Sequence, residues 1–218
     1  MTELAALLEK NRRWAAQMVA DEPAFFSRLM TQQAPKYLWI GCADSRVPAN
    51  EIVGLLPGEM FVHRNVANVV VHTDLNCLSV LQYAVDVLKV EHVLVTGHYG
   101  CGGVLAALSD RRFGLIDNWL RHVQDVIQQH EPEIAALHGD ARANRVCELN
   151  VMEQVLNAAR STVVQDAWDR GQQLSVHGCI YSLSDGILRE LDACVVDTTS
   201  VAELARRLHP SAYQSSLE

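Results

Sequence analysis

The sequence has little of what marks membrane, secreted or nucleic-acid-binding proteins. No stretch approaches the ~18 to 20 apolar residues that a membrane helix needs. Only six of the 218 residues are cysteines, too few for a disulfide-stapled secreted scaffold. The 18 basic residues are outnumbered by 26 acidic ones and form no basic stripe, so nucleic acid is not an expected partner. Glu3 and Glu9 stand where a signal peptide has basic residues and an apolar run, and we therefore expect a soluble, cytoplasmic protein.

The composition is that of a folded globular chain. Hydrophobic residues make up 49% and charged residues 20%, which suits a full core and excludes a disordered chain. The length suggests one large domain, or one domain with an appended arm. Apolar residues at helical spacing over 1–33 predict a helical N-terminal arm. We expect a single domain with an α/β core over 34–210 and a polar tail over 211–218.

Short apolar runs alternate with helical patterns along the core. Strands are predicted at 37–40, 59–63, 92–96 and 174–181, with a fifth at 193–198. Helices are predicted at 75–89, 104–110, 115–130, 144–170 and 200–208. This alternation is typical of crossover connections between parallel strands, and continuous apolar strands fit a sheet covered on both faces. The predicted fold class is α/β, with a mainly parallel sheet of four to five strands flanked by helices.

Metal-ligating residue types follow two of these strands. Cys42, Asp44 and Arg46 come directly after the first strand, and His98 and Cys101 follow the third. Because ligands in open α/β sheets bind beyond the carboxyl ends of the strands, we expect these side chains to meet. Two thiolates and an imidazole suit Zn²⁺, which prefers tetrahedral nitrogen and sulfur ligation.

The same residues are also compatible with roles that involve no catalytic metal. An isolated histidine at position 98 is more often a hydrogen-bonded core residue than a ligand. The glycine-rich segment 97–103 resembles a phosphate cradle in composition, but GHYGCGG matches neither G-x-G-x-x-G nor a Walker lysine pattern. A structural zinc closed by a fourth cysteine, such as Cys179, is a further alternative. Against it, a structural site has no use for Asp44 and Arg46 in the same loop, whereas a reactive site does.

Three segments together resemble the β class of carbonic anhydrases. They are YLWIGCADSRVP at 37–48, FVHRNVAN at 61–68 and GHYGCGG at 97–103. Supporting blocks at 72–92, 149–155 and 177–186 extend the resemblance over most of the chain.

The resemblance implies an enzyme that interconverts CO₂ and bicarbonate with one Zn²⁺ per chain. Cys42, His98 and Cys101 would be the permanent ligands. Asp44 and Arg46 would form a dyad in which the arginine holds the carboxylate, and the carboxylate orients a zinc-bound hydroxide toward CO₂.

A finer resemblance concerns regulation. Trp39, Arg64 and Tyr181 match a subgroup of bacterial β-carbonic anhydrases with a non-catalytic bicarbonate pocket. In that subgroup Asp44 would leave Arg46 and become a fourth zinc ligand, closing the site. This implies allosteric inhibition by bicarbonate and by low pH, because hydroxide competes with the carboxylate for zinc. Without the resemblance, the same side chains would be interpreted as packing aromatics and a salt-bridge arginine.

The resemblance also implies a homodimer or homotetramer, with CO₂ and bicarbonate as the small-molecule partners and no membrane partner. Three other functions stay open at this point: a relative that hydrolyses carbonyl sulfide or carbon disulfide, a non-catalytic zinc-binding module, and a nucleotide-binding domain. The Asp44–Arg46 pair argues against the second, and the missing phosphate motif argues against the third.

Overall fold

The computed structural model describes residues 2–31 and 33–210. The chain divides into two compact units, Met1–Ala34 and Pro35–Glu218. The polar tail predicted at 211–218 lies outside the described residues. Within the described ranges, no helix combines the length and hydropathy that crossing a bilayer demands.

The N-terminal unit is a pair of helices, which confirms the predicted helical arm. They are α1 (Glu3–Asp21) and α2 (Phe25–Thr31). Thr2 begins α1, because its hydroxyl oxygen accepts a hydrogen bond from the backbone N–H of Ala5 at 3.3 Å. The two helices meet through Trp14 and Phe26, whose rings contact edge to face with centroids 5.9 Å apart.

The second unit is built on one five-stranded sheet in the order β2-β1-β3-β4-β5. The strands are β1 (Tyr37–Cys42), β2 (Met60–Asn65), β3 (His92–His98), β4 (Ser175–Tyr181) and β5 (Leu188–Val195). The first four are parallel, and β5 pairs antiparallel with β4. The predicted α/β class with a mainly parallel sheet is confirmed. Because β1 lies between β2 and β3, the segments that follow all three strands are neighbours.

The range predicted for the fifth strand, 193–198, is wrong. The strand begins at Leu188 and ends at Val195. Its exposed positions carry Arg189, Glu190 and Asp192, as is common on an edge strand with one solvated face. These charges interrupt the apolar run, so a search for continuous hydrophobic segments detects only the end of the strand.

The segments between the strands supply the helices that cover the sheet. They are α3 (Ala49–Ile52), α4 (Leu75–Gln82), α5 (Gly102–Ala107), α6 (Ile116–Gln129), α7 (Glu131–Ile134), α8 (Gly139–Ala159) and α9 (Thr162–Asp169), and α10 (Thr198–Leu208) follows the last strand. The longest of these, α8, packs directly on β3 and β4. A Cβ on Gly97 would lie 2.6 Å from Val151 Cγ2, and one on Gly178 would lie 3.2 Å from Val155 Cγ2. These two glycines therefore set how closely α8 approaches the sheet.

Two of the predicted helices are divided in the structure. The 144–170 pattern consists of α8 and α9, because the Ser161 hydroxyl accepts a hydrogen bond from the Val164 N–H at 3.4 Å and starts a new helix. The 75–89 pattern consists of α4 followed by a π-helical turn over 83–87. A 3₁₀ turn over 66–68, absent from the predictions, contains two non-glycine residues with positive φ, Ala67 at 64° and Asn68 at 49°.

Candidate catalytic metal site

Three metal-ligating side chains meet at the carboxyl ends of β1 and β3. Cys42 is the last residue of β1, His98 is the last residue of β3, and Cys101 directly precedes α5. The Sγ atoms of the two cysteines are 3.8 Å apart, and each lies within 4.8 Å of a ring nitrogen of His98. All three residues are buried. The parallel pairing of β1 with β3 brings them together, as the strand-end rule predicts.

The donor set fits a zinc ion. With Zn–S bonds of about 2.3 Å, two thiolates of a tetrahedral site lie about 3.8 Å apart, which matches the separation of Cys42 and Cys101. Among the described residues, the buried Nε2 of His98 has no hydrogen-bond partner, which is costly for a buried polar atom unless something ligates it. Its Nδ1 lies 3.0 Å from the backbone carbonyl oxygen of Tyr99, which fixes the ring and leaves Nε2 as the ligand atom.

The local electrostatics favours a thiolate at Cys42. The hydrogen bond with Cys101 lowers the pKa of the Cys42 thiol most, and burial acts in the opposite direction. His98 and the backbone N–H groups of Asp44 and Ala67 lower the pKa of Cys42 further. The same sulfur pair, together with burial, raises the pKa of Cys101. Loss of the second thiol proton therefore requires a positive charge at the site, which a divalent metal supplies.

Asp44 and Arg46 form the predicted pair next to these ligands. The Nε of Arg46 donates to Asp44 Oδ1 at 2.9 Å, and an Nη donates to Oδ2 at 2.6 Å. The backbone N–H of Arg46 also donates to Oδ1, at 3.0 Å. These bonds hold the pKa of Asp44 well below its usual range. Asp44 Oδ2 is 3.7 Å from Nε2 of His98, so the ionised carboxylate stands beside the metal-ligand atoms.

The three residues of the predicted bicarbonate pocket lie on three strands of the sheet, Trp39 on β1, Arg64 on β2 and Tyr181 on β4. Trp39 is fully buried in an apolar cluster against which Tyr181 packs, and Tyr181 pairs with His98 in the β3–β4 ladder. Arg64 pairs with Gly41 in the β1–β2 ladder. Its Nε donates to the carbonyl oxygen of Cys42 at 2.8 Å, and an Nη donates to the carbonyl oxygen of Asp44.

Sequence reasoning missed a set of three amides behind the site, of which Asn150 and Gln154 are buried and Asn157 is half-buried. Asn150 Nδ2 donates to the carbonyl oxygen of Ala67 at 2.9 Å, and Gln154 Oε1 accepts from the N–H of Val70 at 2.8 Å. Asn157 adds a bond to the carbonyl oxygen of Val70 at 3.1 Å. The three amides lie on one side of α8, and their bonds hold the turn whose Ala67 N–H faces Cys42. Their spacing of four and three residues on an apolar helix is the signal that could have revealed them.

Comparisons with known proteins agree on one family. The family model described as carbonic anhydrase matches residues 37–188. The chain is 48% identical to a carbonic anhydrase of Emericella nidulans over 187 residues, covering 85% of this chain and 82% of that protein. It is 33% identical to one from Pseudomonas aeruginosa over 184 residues, covering 82% and 83%. A Coccomyxa β-carbonic anhydrase, solved in complex with acetazolamide, has a TM-score of 0.89 and 40% identity over 98% of this chain and 99% of that one. One of two tetrameric β-carbonic anhydrases of Sordaria macrospora has a TM-score of 0.83 and 38% identity, covering 88% and 98%.

Proposed function

Since the chain belongs to the β-class carbonic anhydrases, we propose that it hydrates CO₂ reversibly to bicarbonate and a proton, using one zinc ion held by Cys42, His98 and Cys101. The observation that supports this most directly is the buried Cys–His–Cys set. Its sulfur atoms have the spacing of a tetrahedral zinc site, and its histidine nitrogen lacks any other partner among the described residues. When bound, zinc supplies Lewis acidity that brings the pKa of a coordinated water toward neutrality.

Asp44 orients the attacking water. Its Oδ2 lies 3.7 Å from His98 Nε2, close enough to accept a hydrogen bond from a water molecule among the ligand atoms. Because Arg46 keeps this carboxylate ionised, Asp44 acts only as a hydrogen-bond acceptor. It therefore orients the water so that a lone pair of the water oxygen is free to attack CO₂. Arg46 binds both carboxylate oxygens and so restricts rotation of the group.

The product proton leaves on the solvent side of this pair. The Arg46 side chain is 57% exposed and that of Asp44 is 16% exposed, whereas the three ligands are buried. Buffer molecules therefore approach along Arg46. We expect turnover at low buffer concentration to be limited by proton transfer and to rise as buffer is added.

Stopped-flow CO₂ hydration on protein of known zinc content tests the assignment. We expect about one zinc in this site, and turnover that Cys101→Ser abolishes together with the metal. Asp44→Asn should keep the metal and lose about 100-fold in turnover, since it cannot act as a pure acceptor. A metal-loaded protein without CO₂ turnover at any pH from neutral to alkaline would overturn the proposal. Carbonyl sulfide is assayed in parallel, and faster turnover of that substrate would assign the site to it instead.

We also propose that bicarbonate and low pH inhibit the enzyme by drawing Asp44 from Arg46 onto the metal, as in the bacterial subgroup. Two observations support this. The buried Nε1 of Trp39 has no hydrogen-bond partner among the described residues, so an anion beside it would gain a donor. Arg64 is bonded to the backbone of Cys42 and Asp44, so an anion bound by this guanidinium acts on the loop that carries the pair. Tyr181 would add a hydroxyl donor.

Variants that remove hydrogen-bond donors test this regulation. Trp39→Phe and Tyr181→Phe each remove one donor, and each should weaken bicarbonate inhibition about tenfold, the worth of one hydrogen bond to an anion. Zinc content should stay unchanged. Tyr37→Phe removes a hydroxyl from a ring that stacks on His92 instead, and serves as the control. Activity should rise steeply with pH in the parent. Equal inhibition in all four proteins, or a flat pH profile, would refute the regulatory proposal.

We further propose a homodimer or homotetramer. The Sordaria proteins of the same family are tetrameric. None of the residues of the amphipathic helix α1 is buried, so its leucine stripe is available to a partner subunit. Light scattering on the purified chain measures the assembly, and a monomer at micromolar concentration would contradict it. The cytoplasmic location stays a prediction.

A further inference from the structure

A second cluster of ligand-type side chains lies apart from the Cys–His–Cys site. His130 follows the last residue of α6, Glu153 lies within α8, and His209 follows α10. Nε2 of His130 is 2.8 Å from Oε1 of Glu153, and Nε2 of His209 is 2.9 Å from the same oxygen. His130 is 4% and Glu153 7% exposed. Three separate elements thus direct nitrogen and oxygen donors to one buried point.

The charge of Glu153 needs a partner that these contacts do not by themselves provide. Among the described residues, its ion-pair contacts are with His130 and His209, and none is with a lysine or arginine. A buried carboxylate is strongly destabilising unless a positive charge compensates it. Neutral imidazoles donate hydrogen bonds but carry no charge. A proton on one ring, or a divalent cation bound by all three groups, meets this need.

The orientation of the rings favours the cation. Both histidines present the same nitrogen, Nε2, to the carboxylate, and Nδ1 of His130 faces Oε2 of Glu133 at 3.9 Å. A carboxylate behind the second nitrogen is what commonly orients a ligating histidine. Donor atoms in a tetrahedral zinc site with bonds of ~2.0–2.1 Å are about 3.3 Å apart, so the present contacts must open by about 0.5 Å to admit the ion. His209 lies beyond the last turn of α10 and can move to open its own contact, whereas the buried His130 and Glu153 must separate by the same small distance.

The cluster is also accessible. Glu153 and His209 line a cleft of about 910 Å³, together with His122 and Asp125. An ion can therefore reach Glu153 and His209 from solvent, and the buried His130 lies behind them as the third donor. Three ligands with one open position is an arrangement that zinc adopts with a His₂Glu set.

We propose that His130, Glu153 and His209 form a second metal site, which binds Zn²⁺ independently of the cysteine site. The donors are nitrogen and oxygen without sulfur, a set that suits zinc among the divalent ions. Metal binding there joins the end of α10 to α6 and α8, and so stabilises the C-terminal helix on the helical layer.

Equilibrium dialysis of the chelator-stripped full-length chain against Zn²⁺ tests the site. The parent should bind two equivalents. His209→Ala and the isosteric Glu153→Gln should each bind one, because loss of a ligand weakens affinity by at least about 100-fold. His122→Ala, in the same cleft but outside the donor set, should still bind two. Binding of two equivalents by both ligand variants would overturn the site.

Cobalt substitution separates this inference from the proposed function. Sulfur-to-cobalt charge-transfer absorption reports the cysteine site alone, so it should vanish in Cys101→Ser and persist in His209→Ala. If the parent binds one equivalent of metal, and this metal is lost in Cys101→Ser but kept in His209→Ala, the second site is overturned and the cysteine site stands. If the parent binds one equivalent that is kept in Cys101→Ser but lost in His209→Ala, the second site is supported and zinc binding by the cysteines is overturned.

Discussion

Asn150 links α8 to the turn whose backbone lowers the pKa of the Cys42 thiol. Its Nδ2 donates to the carbonyl oxygen of Ala67 at 2.9 Å, and its Oδ1 accepts from Gln154 Nε2 at 3.1 Å. Ala67 has φ 64°, a left-handed conformation that costs an L-residue about 1–2 kcal/mol. In this conformation its backbone N–H is among the groups that lower the pKa of the Cys42 thiol. Asn150→Ala should therefore lower the stability of the fold and weaken metal binding together.

The magnitude follows from the groups left without partners. Asn150 is fully buried, and its truncation leaves the Ala67 carbonyl and the Gln154 amide unpaired. Each buried polar group without a partner costs about 1–3 kcal/mol, so the free energy of unfolding should fall by about 2–6 kcal/mol. Displacement of the Ala67 N–H removes a group that favours the thiolate of Cys42, a proposed metal ligand. Such losses weaken metal affinity by roughly 10–100-fold.

Two measurements separate these effects. Urea denaturation of the metal-free chain gives the stability change, and competition with a chromophoric chelator gives the zinc affinity. Asn157→Ala is the matched control, since this half-buried amide on the same helix contacts Val70 rather than Ala67. It should lose stability with zinc affinity unchanged. If Asn150→Ala loses stability but binds zinc as tightly as the parent, the turn does not contribute to zinc affinity and the prediction is refuted.

Three further predictions rest on separate contacts. A Cβ on Gly41 would lie 2.0 Å from Trp39 Nε1. Gly41→Ala should therefore lower the free energy of unfolding, measured by urea denaturation, by about 1–3 kcal/mol, whereas an added methyl group without close neighbours would not have this cost. Arg189 lowers the pKa of Asp185 to about 2, so the pair stabilises the fold above the ordinary Asp pKa near 4, and this contribution disappears as pH falls toward 2. Asp185→Asn should therefore flatten the acid limb of a plot of urea midpoint against pH, and an unchanged limb would contradict it. Chelation of zinc should lower the Tm of the parent, and Cys42→Ser should reduce that shift; equal shifts would place the stabilising metal elsewhere.

The buried strands were predictable because parallel strands covered on both faces must be apolar throughout, as in the run from Leu38 to Ile40. The order of the strands was not predictable from these runs, since periodicity fixes which face is buried but not which strand is the neighbour. Charges at Arg189 and Glu190 concealed the start of β5. The break at Ser161 was concealed because apolar spacing continues across it, and only the cap geometry ends one helix and starts the next.

The proposed metal ligands and the amides of α8 differ in how easily a sequence reveals them. Cys42, His98 and Cys101 are chemically distinctive and follow strands, so residue type and position together predict that they meet. The partners of Asn150 and Gln154 are backbone atoms 83 and 84 residues away, and a backbone atom leaves no mark in the sequence. Side chains that bind backbone can be assigned only once the fold has brought the two segments together.

The proposed bicarbonate inhibition would act through the contacts that Arg64 makes with the loop after β1. Two of its five N–H donors are engaged by the carbonyl oxygens of Cys42 and Asp44. The remaining donors can bind an anion while these two still hold the loop. Bicarbonate would inhibit only to the extent that it binds more tightly when Asp44 has left Arg46 than when the two are paired. Because Arg64 contacts the backbone of Asp44 itself, movement of the guanidinium toward an anion would change the position of the carboxylate, and the proposal needs no longer chain of contacts between the two sites.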